Sequence, residues 1–288
     1  MIYVSSSCVK ARKIKDAVET IAKFGFKRIE LSGGTDYYEG YLDDLVELKN
    51  KYGLEYLLHN YYPAPKEHFV CNLASLNEDV YQATLNHYKN SIEVSEKLGA
   101  KQFGLHAGFL IDPKVTELGK PITKQNAFNK SEAIDRFCEG LSIVQNYSPN
   151  VEVFVENNVF SAKNMENFKF NPFLFTSYEG LLELTQHLDF SVLLDIAHLK
   201  VSCNTLNIDF DTQLEKVFAI ANYIHISDND GKSDSNQMVQ KKSDLFKKLK
   251  HFDLTNKPIT LEIYETLENI QNSYQLIFPL THSKNATK

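Results

Sequence analysis

Short runs of β-branched, aromatic and aliphatic residues recur along the chain, separated by longer segments whose apolar positions fall at helical spacing. Each short run is followed by polar, turn-prone residues. Eight such runs predict strands over 2–6, 28–31, 55–59, 102–106, 152–156, 191–195, 223–226 and 259–263. The segments between them predict helices over 10–24, 42–52, 77–98, 130–147, 177–187, 211–221, 243–252 and 266–277. In the third helix Tyr81, Leu85, Tyr88 and Ile92 share one face, and Gly99 is a natural stop. Eight strands alternating with eight helices in 288 residues predict a closed parallel (β/α)8 barrel of the TIM type. An open doubly wound sheet has the same local signature, but the count of eight favours the barrel.

Nothing in the composition divides the chain. Twelve glycines and eight prolines form no linker, so one α/β domain over 1–288 is expected. The net charge of −6 argues against a general nucleic-acid binder. No apolar stretch approaches the length of a membrane helix, and the N-terminus lacks a signal-peptide pattern, so a cytoplasmic protein with no membrane partner is expected. An oligomer is left open. Cys8, Cys71, Cys138 and Cys203 form no CxxC pair, which predicts reduced thiols rather than a zinc knuckle. Gly33-Gly34 lacks the third glycine of a dinucleotide loop, and GxxxxGK[ST] and GxSxG are absent from the sequence.

Strands buried on both faces should be apolar throughout, yet six end in an ionisable residue: His59, His106, Glu156, Asp195, His225 and Glu262. In a barrel these ends meet at one mouth, where unpaired like charges are costly. Glu156, Asp195 and Glu262 therefore call for a cation between them. With His225 they make an oxygen/nitrogen set suited to one divalent ion: Mn²⁺, Co²⁺, Mg²⁺ or Zn²⁺. His198 is expected to reach the same mouth as a substrate contact, and Lys200 to meet an anionic group of the substrate. Tyr61, Tyr62, Phe69 and Phe109 are candidates for an aromatic wall of the mouth, with ordinary packing the equal alternative. Segment 160–176 reads as a long loop over the mouth. The lysine-rich stretch 241–250 reads as a solvated helix face, with Leu245, Phe246 and Leu249 inward.

VFVENN, LLDIAHLK, HISDNDGKSD and LEIYE, which carry Glu156, Asp195 with His198, His225 with Asp228 and Asp234, and Glu262, resemble the xylose-isomerase-like TIM barrels. That superfamily comprises sugar isomerases and epimerases and also contains endonuclease IV. LLHNYYPAPKEHFVCNLAS and LHAGFLIDP resemble members associated with surface-polysaccharide gene sets. The resemblance implies that Glu156, Asp195, His225 and Glu262 hold one metal and that the two glutamates move protons; His59, His106, His198 and Lys200 are expected to face the substrate. The implied reaction is isomerisation or epimerisation of a sugar or sugar phosphate through an enediolate; dehydratase or lyase chemistry would use the same intermediate.

The alternatives are an endonuclease IV-like zinc phosphodiesterase acting on abasic DNA and a non-catalytic barrel of a glycan pathway. In the endonuclease branch a larger ligand set holds three zinc ions. Its D-x-H pair here reads Asp234-Ser235-Asn236, so Asp234 and Asn236 mark a vestigial additional metal site.

Overall fold

A computed structural model describes residues 1–117 and 120–282 of the chain. Its strands and α-helices run β1 (Ile2–Ser5), α1 (Ile14–Lys23), β2 (Arg28–Leu31), α2 (Tyr41–Tyr52), β3 (Glu55–His59), α3 (Glu78–Leu98), β4 (Gln102–His106) and α4 (Lys130–Gln145). There follow β5 (Glu152–Glu156), α5 (Ala162–Phe168), α6 (Tyr178–Thr185), β6 (Ser191–Asp195), α7 (Ile196–Leu206), α8 (Phe210–Ile220), β7 (Tyr223–Ile226), α9 (Asp244–Leu249), β8 (Ile259–Leu261) and α10 (Leu267–Ile277). Every strand pairs in parallel with the next, and β1 closes on β8 through Ile2↔Ile259, Tyr3↔Thr260 and Val4↔Leu261. The sheet is thus the closed eight-stranded barrel expected from the alternation; residues 283–288 of the expected domain lie outside the described residues.

The two-residue period of the strands sorts their side chains. Ile29, Leu31, Leu58, Phe103, Leu105, Val153 and Val155 join the helices in the main core, whereas Tyr3, Leu57, Phe154, Leu193 and Tyr223 form a separate cluster that fills the barrel. Two residues further along the same inward face come Ser5, His59, Glu156, Asp195 and His225. The apolar plug ends where the ionisable layer begins. Gly104 on β4 makes room for that layer: a Cβ there would lie 2.6 Å from His59 Cδ2 and 3.0 Å from Leu193 Cδ1.

Side-chain caps start most of the helices. Asn77, Asn129, Ser161, Ser177, Asp195, Asp209, Ser243 and Thr266 each accept a backbone N–H of the first turn, a contact that stabilises a helix by about 1 kcal/mol. Two of these caps open helices that the hydrophobic pattern did not predict. Ser161 starts α5 within the expected loop 160–176, and Phe168 of α5 packs with Ile111, Ile122, Phe160 and Phe173. Asp195 ends β6 and starts α7 with no intervening loop. On α9, Leu245, Phe246 and Leu249 are buried, as their spacing requires. No helix among the described residues is long and apolar enough to cross a membrane.

Candidate functional site

Glu156 is the hub of the mouth. Fully buried at the end of β5, it has Oε2 2.6 Å from His59 Nε2 and 3.3 Å from His106 Nδ1. Its Oε1 is 3.5 Å from both His198 Nδ1 and His225 Nδ1. His225 Nδ1 also lies 3.4 Å from Glu262 Oε2 and 4.0 Å from Asp195 Oδ2. The six strand-end residues and His198 therefore meet, although they come from β3 to β8 and α7. Three overlapping groups have the spacing of metal ligands: His59, His106 and Glu156; Glu156, Asp195 and His198; and Asp195, His225 and Glu262.

Backbone and second-layer contacts hold these groups. Asn157, the residue after Glu156, accepts the Asp195 N–H at 2.8 Å and donates to the Asp195 carbonyl at 2.9 Å. Its own carbonyl lies 3.0 Å from His198 Nδ1. Asn158 donates to the carbonyls of Ala107 and Leu174, tying the loops after β4 and β5 together. Glu262 lies just past β8, its N–H donating to the Ile226 carbonyl. Its Oε1 accepts Ser7 Oγ at 3.1 Å and the Tyr264 hydroxyl at 2.7 Å. Each glutamate is thus anchored through one oxygen and presents the other toward His225 Nδ1.

Burial opposes charge throughout the cluster, and the neighbours decide the outcome. At Glu156 burial would raise the carboxyl, but His106, His59 and His225 hold it well below the usual carboxylate range. At Glu262 the same opposition is overcome chiefly by His225, bringing the carboxyl down to about 2. Asp195 is raised, by burial first, with Glu156 and Asp234 adding to it against the pull of His198. Burial would lower His59, His198 and His225, yet the surrounding carboxylates raise all three. His106 follows burial, down to about 4.

Among the described residues, three buried atoms in the mouth have no hydrogen-bond partner: His106 Nδ1, Glu156 Oε1 and His225 Nδ1. Buried polar atoms ordinarily find one. Each of the three belongs to a residue of the groups with metal-ligand spacing, where a cation would take up its lone pair, so the donor set fits a divalent cation.

Lys200 Nζ donates to Asp228 Oδ1 at 2.9 Å and to the Asn229 carbonyl, which ties α7 to the loop after β7. Asp234 Oδ2 lies 3.2 Å from His198 Nε2, whereas Asn236 Oδ1 accepts Ser227 Oγ at 3.4 Å. Tyr62 is a core residue packed edge-on against Tyr41, and Phe69 packs edge-on against His87. Phe109 faces Phe173, with ring centroids 5.3 Å apart. A surface groove of about 370 Å³ lies at the opposite end of the barrel, against Ile2, Phe26, Arg28 and Tyr274, and none of the mouth residues lines it.

The sequence reading missed Ser7, Tyr264, Asn157 and Glu30. Glu30 sits within β2, fully buried, with Oε2 3.0 Å from His225 Nε2. The signal was present as one acid inside the run Arg-Ile-Glu-Leu; attention to strand ends passed over it.

A family model described as xylose isomerase-like TIM barrel matches residues 18–278. The chain belongs to this family. The curated relative "Uncharacterized protein MJ1311" of Methanocaldococcus jannaschii is 24% identical over 241 residues, covering 82% of the chain and 73% of that protein. Among solved structures, a D-tagatose 3-epimerase-like protein superposes with a TM-score of 0.71 at 20% identity, covering 97% of this chain and 96% of its own. Endonuclease IV from Thermus thermophilus superposes with a TM-score of 0.60 at 14% identity, covering 97% and 98%. At these identities the likeness is one of fold, and this xylose isomerase-like barrel shares it with a structure of each kind.

Proposed function

We propose that the chain is a divalent-metal-dependent isomerase or epimerase of a sugar or sugar phosphate, with Glu156, Asp195, His225 and Glu262 as metal ligands and Glu156 and Glu262 as the acid/base pair. The observation that carries this reading is the convergence of Glu156 Oε1 and Glu262 Oε2 on His225 Nδ1, at 3.5 and 3.4 Å, with the far oxygen of each glutamate anchored. A divalent cation held there supplies Lewis-acid polarisation of a carbonyl oxygen, which acidifies the neighbouring C–H. The chain supplies the proton transfer. A carboxylate fixed through one oxygen keeps the other in place to take a proton from carbon, and the opposing carboxyl returns one. Delivery to the opposite face of the same carbon gives an epimer; delivery to the neighbouring carbon gives the aldose or ketose isomer. Ser7 and Tyr264 hold Glu262, and His59 holds Glu156. His198, whose Nε2 lies 3.2 Å from Asp234 Oδ2, is the residue we assign to substrate oxygens.

A second reading, an endonuclease IV-like phosphodiesterase, is favoured by the grouping of His59 and His106 around Glu156 Oε2. It is disfavoured by Asn236, an amide bonded to Ser227 in the position of an imidazole ligand, and by the net charge of −6. Metal analysis of the purified chain, combined with a screen for solvent deuterium incorporation into free and phosphorylated sugars, tests the two. One metal per chain with deuterium exchange supports the isomerase. Two or more zinc ions with cleavage of abasic DNA would replace it with the nuclease.

A further inference from the structure

The reaction proposed above assigns no part to Glu30, yet it is a fully buried carboxyl group within a strand. Burying an ionised carboxylate costs several kcal/mol unless donors surround it. They do: Oε2 faces the Tyr223 hydroxyl, Thr260 Oγ1 at 3.2 Å and His225 Nε2 at 3.0 Å, and Oε1 accepts Ser32 Oγ at 3.4 Å. Three of the four donors come from β7 and β8, across the barrel interior from β2. Tyr223 and Thr260 also touch one another at 2.6 Å, which leaves the carboxylate little freedom to turn.

Glu30 Oε2 accepts from the hydroxyls around it, so the geometry assigns the ring proton to the imidazole nitrogen that lies 3.0 Å from the same oxygen. That nitrogen is Nε2. The other, Nδ1, is buried without a hydrogen-bond partner and faces oxygens of Glu156, Asp195 and Glu262. We propose that Glu30, braced by Tyr223 and Thr260, is a positioning residue that pins the Nε2–H form of His225 and so aims the Nδ1 lone pair into the mouth as a ligand atom. A carboxylate behind a metal-binding histidine both selects the tautomer and makes the ring a better donor. The metal half of this inference rests on the reading given above; the tautomer half does not.

The test uses the full chain with ¹⁵N-labelled histidine, as wild type, Glu30→Gln and Glu30→Ala. Ring ¹⁵N shifts are read on the metal-free protein at a pH where His225 is neutral, and Co²⁺ affinity is read by calorimetry. Wild type should show the Nε2–H form. Glu30→Gln, whose amide oxygen still accepts, should keep that form and bind Co²⁺ more tightly than Glu30→Ala. Glu30→Ala should show mixed tautomers and a Co²⁺ Kd raised about 10- to 100-fold. An Nδ1–H ring in wild type overturns the proposal even where Glu30→Ala does not fold, as does unchanged Co²⁺ affinity in a folded Glu30→Ala. A wild-type chain that binds no divalent cation defeats the metal reading, and the tautomer then decides whether Glu30 positions the ring.

Discussion

Asp195 Oδ1 accepts the backbone N–H of His198 at 2.7 Å, so the carboxylate that closes β6 is also the N-cap of α7. One oxygen serves the fold while the other, Oδ2, lies 4.0 Å from both His198 Nε2 and His225 Nδ1. The site is therefore built into the start of a helix, and Asp195 can be tested for its two roles separately.

Asp195→Asn keeps a capping oxygen and its volume but removes the charge. Its stability should stay close to wild type, because Asn and Asp are equivalent caps, while Asp195→Ala should lose about 1 kcal/mol. Both should weaken Co²⁺ binding by more than about tenfold, since each removes an anionic oxygen donor. Urea denaturation and calorimetry of the three proteins check this; equal loss of stability in the two variants would detach Asp195 from the helix.

Gly104→Ala tests how closely the plug supports the ionisable layer. The added methyl would sit 2.6 Å from His59 Cδ2 and 3.0 Å from Leu193 Cδ1, inside van der Waals contact on both sides. Overpacking of this kind costs about 1–3 kcal/mol. His59 should also be pushed off its 2.6 Å contact with Glu156, visible as a shift of its ring resonances. A variant as stable as wild type with unmoved His59 signals would show that the interior relaxes freely there.

The strands were legible because each is a short apolar run bounded by polar residues: β2 to β7 begin and end where the pattern placed them, and β1 and β8 are shorter. His59, His106, Glu156, Asp195, His225 and Glu262 were legible for the complementary reason, as ionisable residues at the ends of apolar runs. What escaped had a different physical origin. The helix α7 follows Asp195 directly, so Leu-Asp-Ile-Ala-His-Leu offers no turn signal to separate it from β6. Seven-residue α5 rests on a Ser161 cap and phenylalanine packing rather than on a long amphipathic repeat. Glu30 reads locally as one acid within a four-residue strand, and only barrel closure brings it to Tyr223, His225 and Thr260. Ser7 likewise meets Glu262 through closure of β1 on β8, whereas Tyr264, two residues past Glu262, reaches it locally.

Glu156→Gln and Glu262→Gln should each lower solvent deuterium exchange into substrate by about 10²- to 10⁴-fold, because an amide fills the space but takes no proton at neutral pH. An amide is also the poorer metal ligand, so the comparison is made at saturating Mn²⁺ with bound metal measured. Exchange that persists in both metal-loaded variants would remove the glutamates from the acid/base role.

His87 separates stability from the mouth. On α3 its ring lies edge-on to Phe69, with centroids 5.8 Å apart, and its Nε2 is buried without a hydrogen-bond partner. Burial pushes the imidazole down to about 4. In the unfolded chain the group titrates near ~6.5, so between the two values the unfolded state binds more protons than the folded one. The contribution is intact above pH ~6.5 and is lost as pH falls toward the folded value, reaching about 3 kcal/mol of destabilisation near pH 4. His87→Leu has a similar volume and no titrating nitrogen, so it should lack that part of the acid limb while the carboxylates and histidines of the mouth titrate as before. Urea unfolding from pH 4 to 7 checks it: the difference between variant and wild type should grow as pH falls, and parallel curves would mean that the His87 ring takes up a proton in the folded chain at little cost.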